Sequence, residues 1–374
     1  MSRPYVCSLM VLTTAVALAS AAVAQQPRIT NGQVSNRPAG TLAQTFRSMV
    51  ASQTDAAWIG YTVPVKDRDT VMCCWTDGDS HFSGSMRAGE APCCGFCRLE
   101  PNAAREAAAN AGQPSTGATG PIKLEGSDRM LVMFRIAEKQ VDRVRVFSQD
   151  CQLDAGERPV YMLDGVQPAE SVALLESLVG TEPTRKGRIT NASLNAIAQH
   201  ADATAAAALE RLAKNHAAAN VRGEALFWLA QRGDANASAL ILSALEKDPA
   251  PDVRKRAVFA LSQLRDDQGV DALIRVARSH ADAPVRGEAI FWLGQKAGKK
   301  AAGTITEAIE KDPETEVKKR AVFALSQLPK DEGVPLLIDI AKKNTNPVVR
   351  KQAIFWLGQS KDPRAIEFFA EILK

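Results

Sequence analysis

An α-solenoid of helix pairs wound as a right-handed superhelix, preceded by a small cysteine-containing α+β domain, is the fold class this 374-residue sequence predicts. Three observations carry it. Val221, Val253, Val285, Val317 and Val349, each followed by Arg or Lys, recur every 32 residues without insertion or deletion. The stretch Phe291–Gln295, FWLGQ, returns at Phe355–Gln359 and, as FWLAQ, at Phe227–Gln231. Every cysteine lies before residue 152, where the repeats have not begun. A fixed period of this size marks stacked supersecondary units, each too small to bury its own apolar face alone.

The first residues carry one arginine (Arg3), an apolar run from about Val6 to Ala22 and the small-x-small site Ala22-Val23-Ala24. That pattern predicts a 1–24 signal peptide cleaved after Ala24, hence a periplasmic or secreted protein with no stable membrane insertion after cleavage. Composition is that of a folded soluble chain, with 45% hydrophobic and 24% charged residues. The net charge of +4 comes from 46 basic and 42 acidic residues, too even for a nucleic-acid footprint.

Residues 25–45, rich in Gln, Asn, Gly and Pro, are expected to form a flexible leader. A cysteine-containing α+β domain is expected over 46–180. Its elements are a helix near Thr41–Ser52, strands at AWIGYTVPV (57–65) and TVMCCW (70–75), a loop at 101–120, strands at RMLVMFRIA (129–137) and VDRVRVF (141–147), and a helix from Pro168 to Val179. In the last strand Val144 and Val146 alternate with Arg143 and Arg145 on opposite faces. Removing the signal leaves six cysteines, Cys73, Cys74, Cys93, Cys94, Cys97 and Cys151, an even number that favours disulfides after export. Cys94 and Cys97 supply half of a zinc cage, with His81 a candidate further ligand, and CGFC has the spacing of a redox dithiol but none of its strand–turn–helix setting.

From 186 to 374 each 32-residue unit holds two amphipathic helices. GVPLLIDIAKK places Leu336, Leu337, Ile340 and Ala341 on one face; VKKRAVFALSQL does the same with Val317, Ala321, Leu325 and Leu328. A degenerate first unit, with Ile189, Leu194, Ile197 and Gln199 in register, reads as a cap.

The pattern D-P-x-x-x-V-[RK]-x-x-A-V-F-A-L-S-Q-L at Asp248–Leu264 and Asp312–Leu328 resembles the HEAT repeat, specifically the PBS-lyase HEAT-like subgroup. The resemblance implies a ladder between the turn aspartates, Asp248 and Asp312, and Arg222, Arg254, Arg286 and Arg350. Lys318, His280 and Asn344 depart from it. It also names a lyase activity in the subgroup, which an exported chain without the recognisable site residues is not expected to have. Fold resemblance alone does not assign a function.

Counting each valine as zero, positions four, seven, eight and eleven face the core and position six lies nearly opposite. Position six is Phe227, Phe259, Phe291, Phe323 and Phe355; position ten is Gln231, Gln263, Gln295, Gln327 and Gln359. Two readings stay open: the rings bury one another across the curve, or they line a groove for a protein or extended peptide, whose backbone suits the amides. Trp228, Trp292 and Trp356 alternate with Ala260 and Ala324 at position seven and are assigned to packing. Glu224, Arg256, Glu288 and Arg320 alternate at position three, as pairs between adjacent repeats would. His200, His216 and His280 fall on inter-helix turns and are read as solvated. No catalytic or metal-ligating set is assigned, no cofactor is implied, and nucleic acid is not an expected partner. The expected function is a non-enzymatic interaction scaffold of the cell envelope or exterior; the alternative is an enzyme or thiol-disulfide redox protein with its chemistry in the cysteine domain.

Overall fold

The structure, a computed structural model, describes residues 27–68, 70–72, 86–87, 96–100, 127–180, 185–265, 267–296 and 298–373. The signal segment, the 101–120 loop, His81 and Cys73, Cys74, Cys93 and Cys94 lie outside the described residues.

A five-stranded mixed sheet organises the N-terminal part, in the order β2 (Val34–Pro38), β10 (Val160–Asp164), β3 (Ala57–Pro64), β7 (Arg129–Ala137), β8 (Gln140–Ser148). The first three run parallel; β3, β7 and β8 are antiparallel neighbours. A small parallel sheet of β1 (Arg28–Thr30), β9 (Gln152–Asp154) and β6 (Phe96–Arg98) completes it, with a short β4–β5 pair (Thr70–Val71, Met86–Arg87). The segment read as a flexible leader therefore supplies β1, β2 and the start of α1 (Leu42–Ser52). Its side chains gave no apolar signal because β2 is an exposed edge strand, held by backbone pairing to β10. Arg145 does lie on the face opposite Val144 and Val146, across from Met133, and that face is buried as well.

One face of the sheet packs Trp58, Leu131, Met133, Phe147, Leu153 and Met162 into a core of its own. The other, with Ile59, Tyr61, Val63, Val132 and Phe134, packs on α1 and α2 (Pro168–Ser177), and its apolar cluster continues without a break into the repeats. There the helices are α3 (Arg185–Gln199), α4 (Ala203–Asn215), α5 (Ala219–Arg232), α6 (Ala237–Lys247), α7 (Pro251–Gln263), α8 (Asp267–Ser279), α9 (Ala283–Lys296), α10 (Gly298–Lys311), α11 (Thr315–Ser326), α12 (Lys330–Lys343), α13 (Pro347–Ser360) and α14 (Pro363–Ile372). Helices α3, α5, α7, α9, α11 and α13 stack in one row, more closely than the row containing α4, α6, α8, α10, α12 and α14. Helix α2 contacts both α3 and α4, the place a first helix would take beside α3.

The turn between the helices of each pair repeats one device. His216, Asp248, His280, Asp312 and Asn344 each accept the N–H two residues on, at 2.9–3.2 Å. His216 and His280 therefore cap backbone through Nδ1 rather than standing in solvent, doing the job of the aspartates they replace. The arginine after each valine clasps the carbonyls of its own turn: Arg222 those of His216 and Ala217, Arg286 those of His280 and Ala281. Arg222 and Arg286 also reach forward to Asp248 and Asp312 with paired bonds of 2.7 and 2.9 Å. Burial alone would raise the Asp312 carboxyl, and the Arg286 hydrogen bonds outweigh it, holding the group below the usual range. Arg254 faces His280 across the next interface and uses Asp282 instead, through one bond of 3.1 Å. Lys318, before Asn344, donates to the Glu310 carbonyl. Strong and weak steps therefore alternate along the ladder.

Sheet and solenoid are joined by a buried polar chain. His200, expected in solvent, is fully enclosed: its Nδ1 lies 2.7 Å from the Ala196 carbonyl and its Nε2 2.8 Å from Ser171 Oγ, which lies 2.8 Å from the Tyr61 hydroxyl. A carbonyl only accepts, so Nδ1 carries the proton; neutral Nε2 takes the Ser171 hydroxyl and Ser171 accepts from Tyr61. Burial pushes the Tyr61 phenol upward, keeping it a donor, and lowers His200 to about 4. Arg232, also buried, donates to the carbonyls of Ala198 and His200 at 2.8 and 2.6 Å and pairs with Asp234, which in turn holds Lys66 of the sheet. The His200 turn escaped the sequence reading because the covering strand end, Val65, lies far away in the chain.

Two predictions follow from these contacts. His200 has an ordinary value of 6.5 and is near 4 when folded, so the unfolded chain binds the extra proton between those limits. Stability should fall by about 3 kcal/mol as pH drops from 6.5 to 4, read by urea melts, and His200→Gln should flatten that slope. Arg286→Ala, which strands a buried carboxylate, should cost about 3 kcal/mol or more, and Arg254→Ala about 1 kcal/mol.

Candidate functional site: a ring row on the inner helices

Positions six and seven of the second helices bring eight aromatic rings into one unbroken row. Phe227 meets Trp228 edge-on at 5.1 Å and stacks on Phe259 at 5.6 Å with an interplanar angle of 2°. Phe259 packs against Trp292 at 4.8 Å, and Trp292 meets Phe291 at 5.0 Å. Phe291 stacks on Phe323 at 6.0 Å, Phe323 packs on Trp356 at 4.9 Å, and Trp356 meets Phe355 at 5.0 Å. Offset stacks and edge contacts at these separations are the favoured aromatic geometries.

Neither reading of the phenylalanines holds by itself. The rings cover one another's faces, yet Phe227, Phe259, Phe291 and Phe323 remain half-buried and Phe355 is 52% exposed, so the row keeps an outer edge. The tryptophans pack on the core, Trp228 within it and Trp292 and Trp356 half-buried against it, and all three are also members of the ring row. Positions six and seven are only one helical step apart, and an indole is wide enough to span both directions. Ala260 and Ala324 are fully buried opposite them, as the large-against-small alternation requires.

The alternating charges do form pairs between repeats, Glu224 with Arg256 and Glu288 with Arg320, the latter at 3.2 Å. Next to these charges, at position two, Gly223 and Gly287 alternate with Lys255 and Lys319. A Cβ on Gly223 would come 2.9 Å from Arg256 Cγ, and one on Gly287 2.7 Å from Arg320 Cδ. The glycines are slots through which the next repeat's arginine reaches back. Glu288 also accepts from Trp292 Nε1 at 3.1 Å, tying charge pair to ring row. In the last repeat Lys351 and Gln352 replace the glycine and the glutamate, and Trp356 Nε1 is buried without a partner.

Beside the rings, Gln231, Gln295, Gln327 and Gln359 are exposed and Gln263 is half-buried. Gln231 donates to Gln263 at 3.4 Å, and Gln263 and Gln327 donate to Ser262 and Ser326 at 2.9 and 3.1 Å. On the other side Gly223, Glu224, Lys255, Arg256, Phe259 and Trp292 line an open hollow of about 660 Å³. Among the described residues no cluster of three or more His, Cys, Asp or Glu side chains is placed to hold a metal ion. Of the cysteines, Cys151 is described with its side chain, buried in the sheet core with Sγ 3.3 Å from the Met72 carbonyl oxygen.

Paired helices, a 32-residue step and an arginine ladder in the turns define an α-helical repeat protein. The particular repeat is HEAT: a family model described as HEAT repeats matches residues 207–294, 270–355 and 302–374. No curated protein matches the chain. Similar solved structures include human deoxyhypusine hydroxylase in complex with glycerol (19% identity, 55% of this chain, 90% of that chain, TM-score 0.28). They also include YibA of Escherichia coli (22%, 55% and 75%, TM-score 0.32). A third is the complex of CpcE and CpcF of phycocyanin lyase from Nostoc sp. (20%, 55% and 81%, TM-score 0.31). Likenesses of this size carry no argument about activity. No described helix is long and apolar enough to cross a membrane.

One residue type in the repeated FWLGQ stretch gives a paired prediction. A Cβ on Gly294 would come 2.9 Å from the Ala324 carbonyl oxygen and 3.0 Å from its Cα, whereas one on Gly358 meets nothing within 4 Å. Gly294→Ala should destabilise by about 1–2 kcal/mol by forcing α9 and α11 apart. Gly358→Ala should stabilise by up to about 1 kcal/mol through helix propensity. Equal signs in urea melts would contradict this account of the inner row.

Proposed function

We propose that the chain is an exported, non-enzymatic scaffold that captures an extended segment of a partner protein along the ring row of the second helices. The observation that carries the proposal is the row's continuity: eight rings in contact from Trp228 to Phe355, of which Trp228 is buried, six are half-buried and Phe355 is exposed. HEAT repeats at 207–374 support the same class of function. Aromatic edges suit apolar side chains of an extended segment, and the exposed glutamines beside them offer both donors and acceptors to its unpaired backbone. Lys255 and Lys351 stand exposed along the other margin, while Arg256 and Arg320 are matched by Glu224 and Glu288, so a segment carrying acidic residues fits best.

Export supports a further part of the reading, that the six cysteines close as disulfides in the sheet domain. Mass mapping that finds three bridges resistant to mild reductant would remove the thiol-disulfide alternative.

Displayed random peptides selected on the full chain supply the direct test, with Trp292 and Trp356 as fluorescence reporters. Phe291→Ser and Phe355→Ser should each weaken a selected peptide at least about tenfold, or about 1.4 kcal/mol. Val34→Ser, on the remote edge strand, should leave it unchanged. Failure to enrich any peptide, or equal binding by the ring variants, would overturn the proposal.

A further inference from the structure

The residues that line the hollow beside the ring row recur one 64-residue unit further on, with one exchange. Gly223, Glu224, Lys255, Arg256, Glu288 and Trp292 line the first. Their counterparts are Gly287, Glu288, Lys319, Arg320, Gln352 and Trp356. Five of the six residue types are kept, and the sixth turns a carboxylate, Glu288, into a carboxamide, Gln352.

That exchange removes a bond inside a single helix. In α9 Glu288 accepts from Trp292 Nε1, four residues on, at 3.1 Å, and from Arg320 of the next repeat at 3.2 Å. In α13 the indole is kept and its acceptor is not: Trp356 Nε1 is buried with no hydrogen-bond partner. Both ends of the lost bond belong to α13, so its loss does not depend on what lies beside that helix. A buried N–H left without an acceptor is costly and rare in folded chains. The charge balance changes with it. Around the first hollow Glu224, Asp252 and Glu288 face Lys255 and Arg256, one carboxylate in excess. Around the second set Glu316 and Glu288 are engaged by Lys319 and Arg320. Lys351, beside Gln352, is exposed and has no ion pair among the described residues.

We propose that this second seat takes a carboxylate from the bound segment, an aspartate or glutamate side chain in the place that Glu288 fills in the first. The inference rests on the ring row holding such a segment, and it assigns the reading of charge to the α13 end of the row. Gln352 turns its Oε1 to Trp356 Nε1 and presents its amide N–H groups outward; the ligand carboxylate accepts from these and from Lys351 Nζ. At the first hollow Glu288 already stands where that carboxylate would go, which sets the segment's register along the row.

Affinities of the selected peptides for the full chain, with each peptide aspartate and glutamate changed in turn to its amide, are the test. One such change should weaken binding about tenfold. Gln352→Glu should weaken the parent peptide by a similar factor and far more than it weakens the amide analogue, which has no charge to be repelled. Lys351→Ala should weaken the parent about threefold, the size of an exposed ion pair. Glutamate at 352 gives Trp356 the acceptor that Glu288 gives Trp292, so the thermal midpoint of Gln352→Glu should not fall and lost structure does not explain lost binding. A peptide that needs Phe355 yet binds Gln352→Glu as it binds the wild type overturns this inference and leaves the scaffold reading standing. A peptide indifferent to Phe355→Ser and Gln352→Glu alike, or no selected peptide at all, overturns both.

Discussion

Close approach of the second helices is the constraint on which the rest of the structure depends. Helices of this size normally pack about 8–10 Å apart, and a row of phenylalanines at one position per repeat would hold them further off unless each ring had somewhere to lie. The chain resolves this with a two-repeat unit. One repeat supplies a glycine slot, a glutamate and a Phe-Trp pair; the next supplies an arginine that enters the slot, a phenylalanine that stacks on its predecessor, and an alanine beside the following indole. The turn ladder keeps the same beat, with paired arginine–aspartate bonds inside a unit and a single bond or none between units. The spacing of 64 residues between the tryptophans is thus a mechanical period, set by two kinds of interface that alternate.

From that constraint the exposed edges of the ring row follow. Rings that must stack to let the helices close up cannot also turn into the core, so their outer edges remain on the inner side, flanked by amides on one margin and matched charges on the other. The sheet domain is no loose appendage to this surface. Its core runs into the first repeats, and the Tyr61–Ser171–His200 chain with Arg232 locks β3, α2, α3 and α5 together. Whatever the row holds is therefore held at a set orientation to the sheet.

The repeat region was legible because its signals are local and periodic. A valine every 32 residues, a basic residue after it and apolar positions at helical spacing specify helix pairs without knowledge of any distant contact. The strands at 57–64 and 129–137 were legible as largely apolar runs, and 140–148 as valines alternating with charged residues. What escaped depended on partners remote in sequence. The 27–38 strands carry polar exposed side chains and owe their form to backbone bonds with residues 152–164. His200 looks like a turn residue until Val65 and Ser171 close over it. Gly223 and Gly287 showed their alternation but not their purpose, which lies in an arginine of the following repeat. The packing role of the tryptophans was legible from helical angle, but their contact with the phenylalanine row was not, because angle does not convey the width of an indole.

Fluorine NMR of the chain labelled with fluorophenylalanine, titrated with a peptide selected on it, tests the central claim most directly, because each ring of the row reports for itself. The account predicts that the signals of neighbouring rings among Phe227, Phe259, Phe291, Phe323 and Phe355 shift together and saturate with the peptide, while Phe46 and Phe134 in the sheet core stay put. Shifts confined to the sheet core, or a row whose signals ignore the bound peptide, would show that the stacked rings serve only to hold the repeats together.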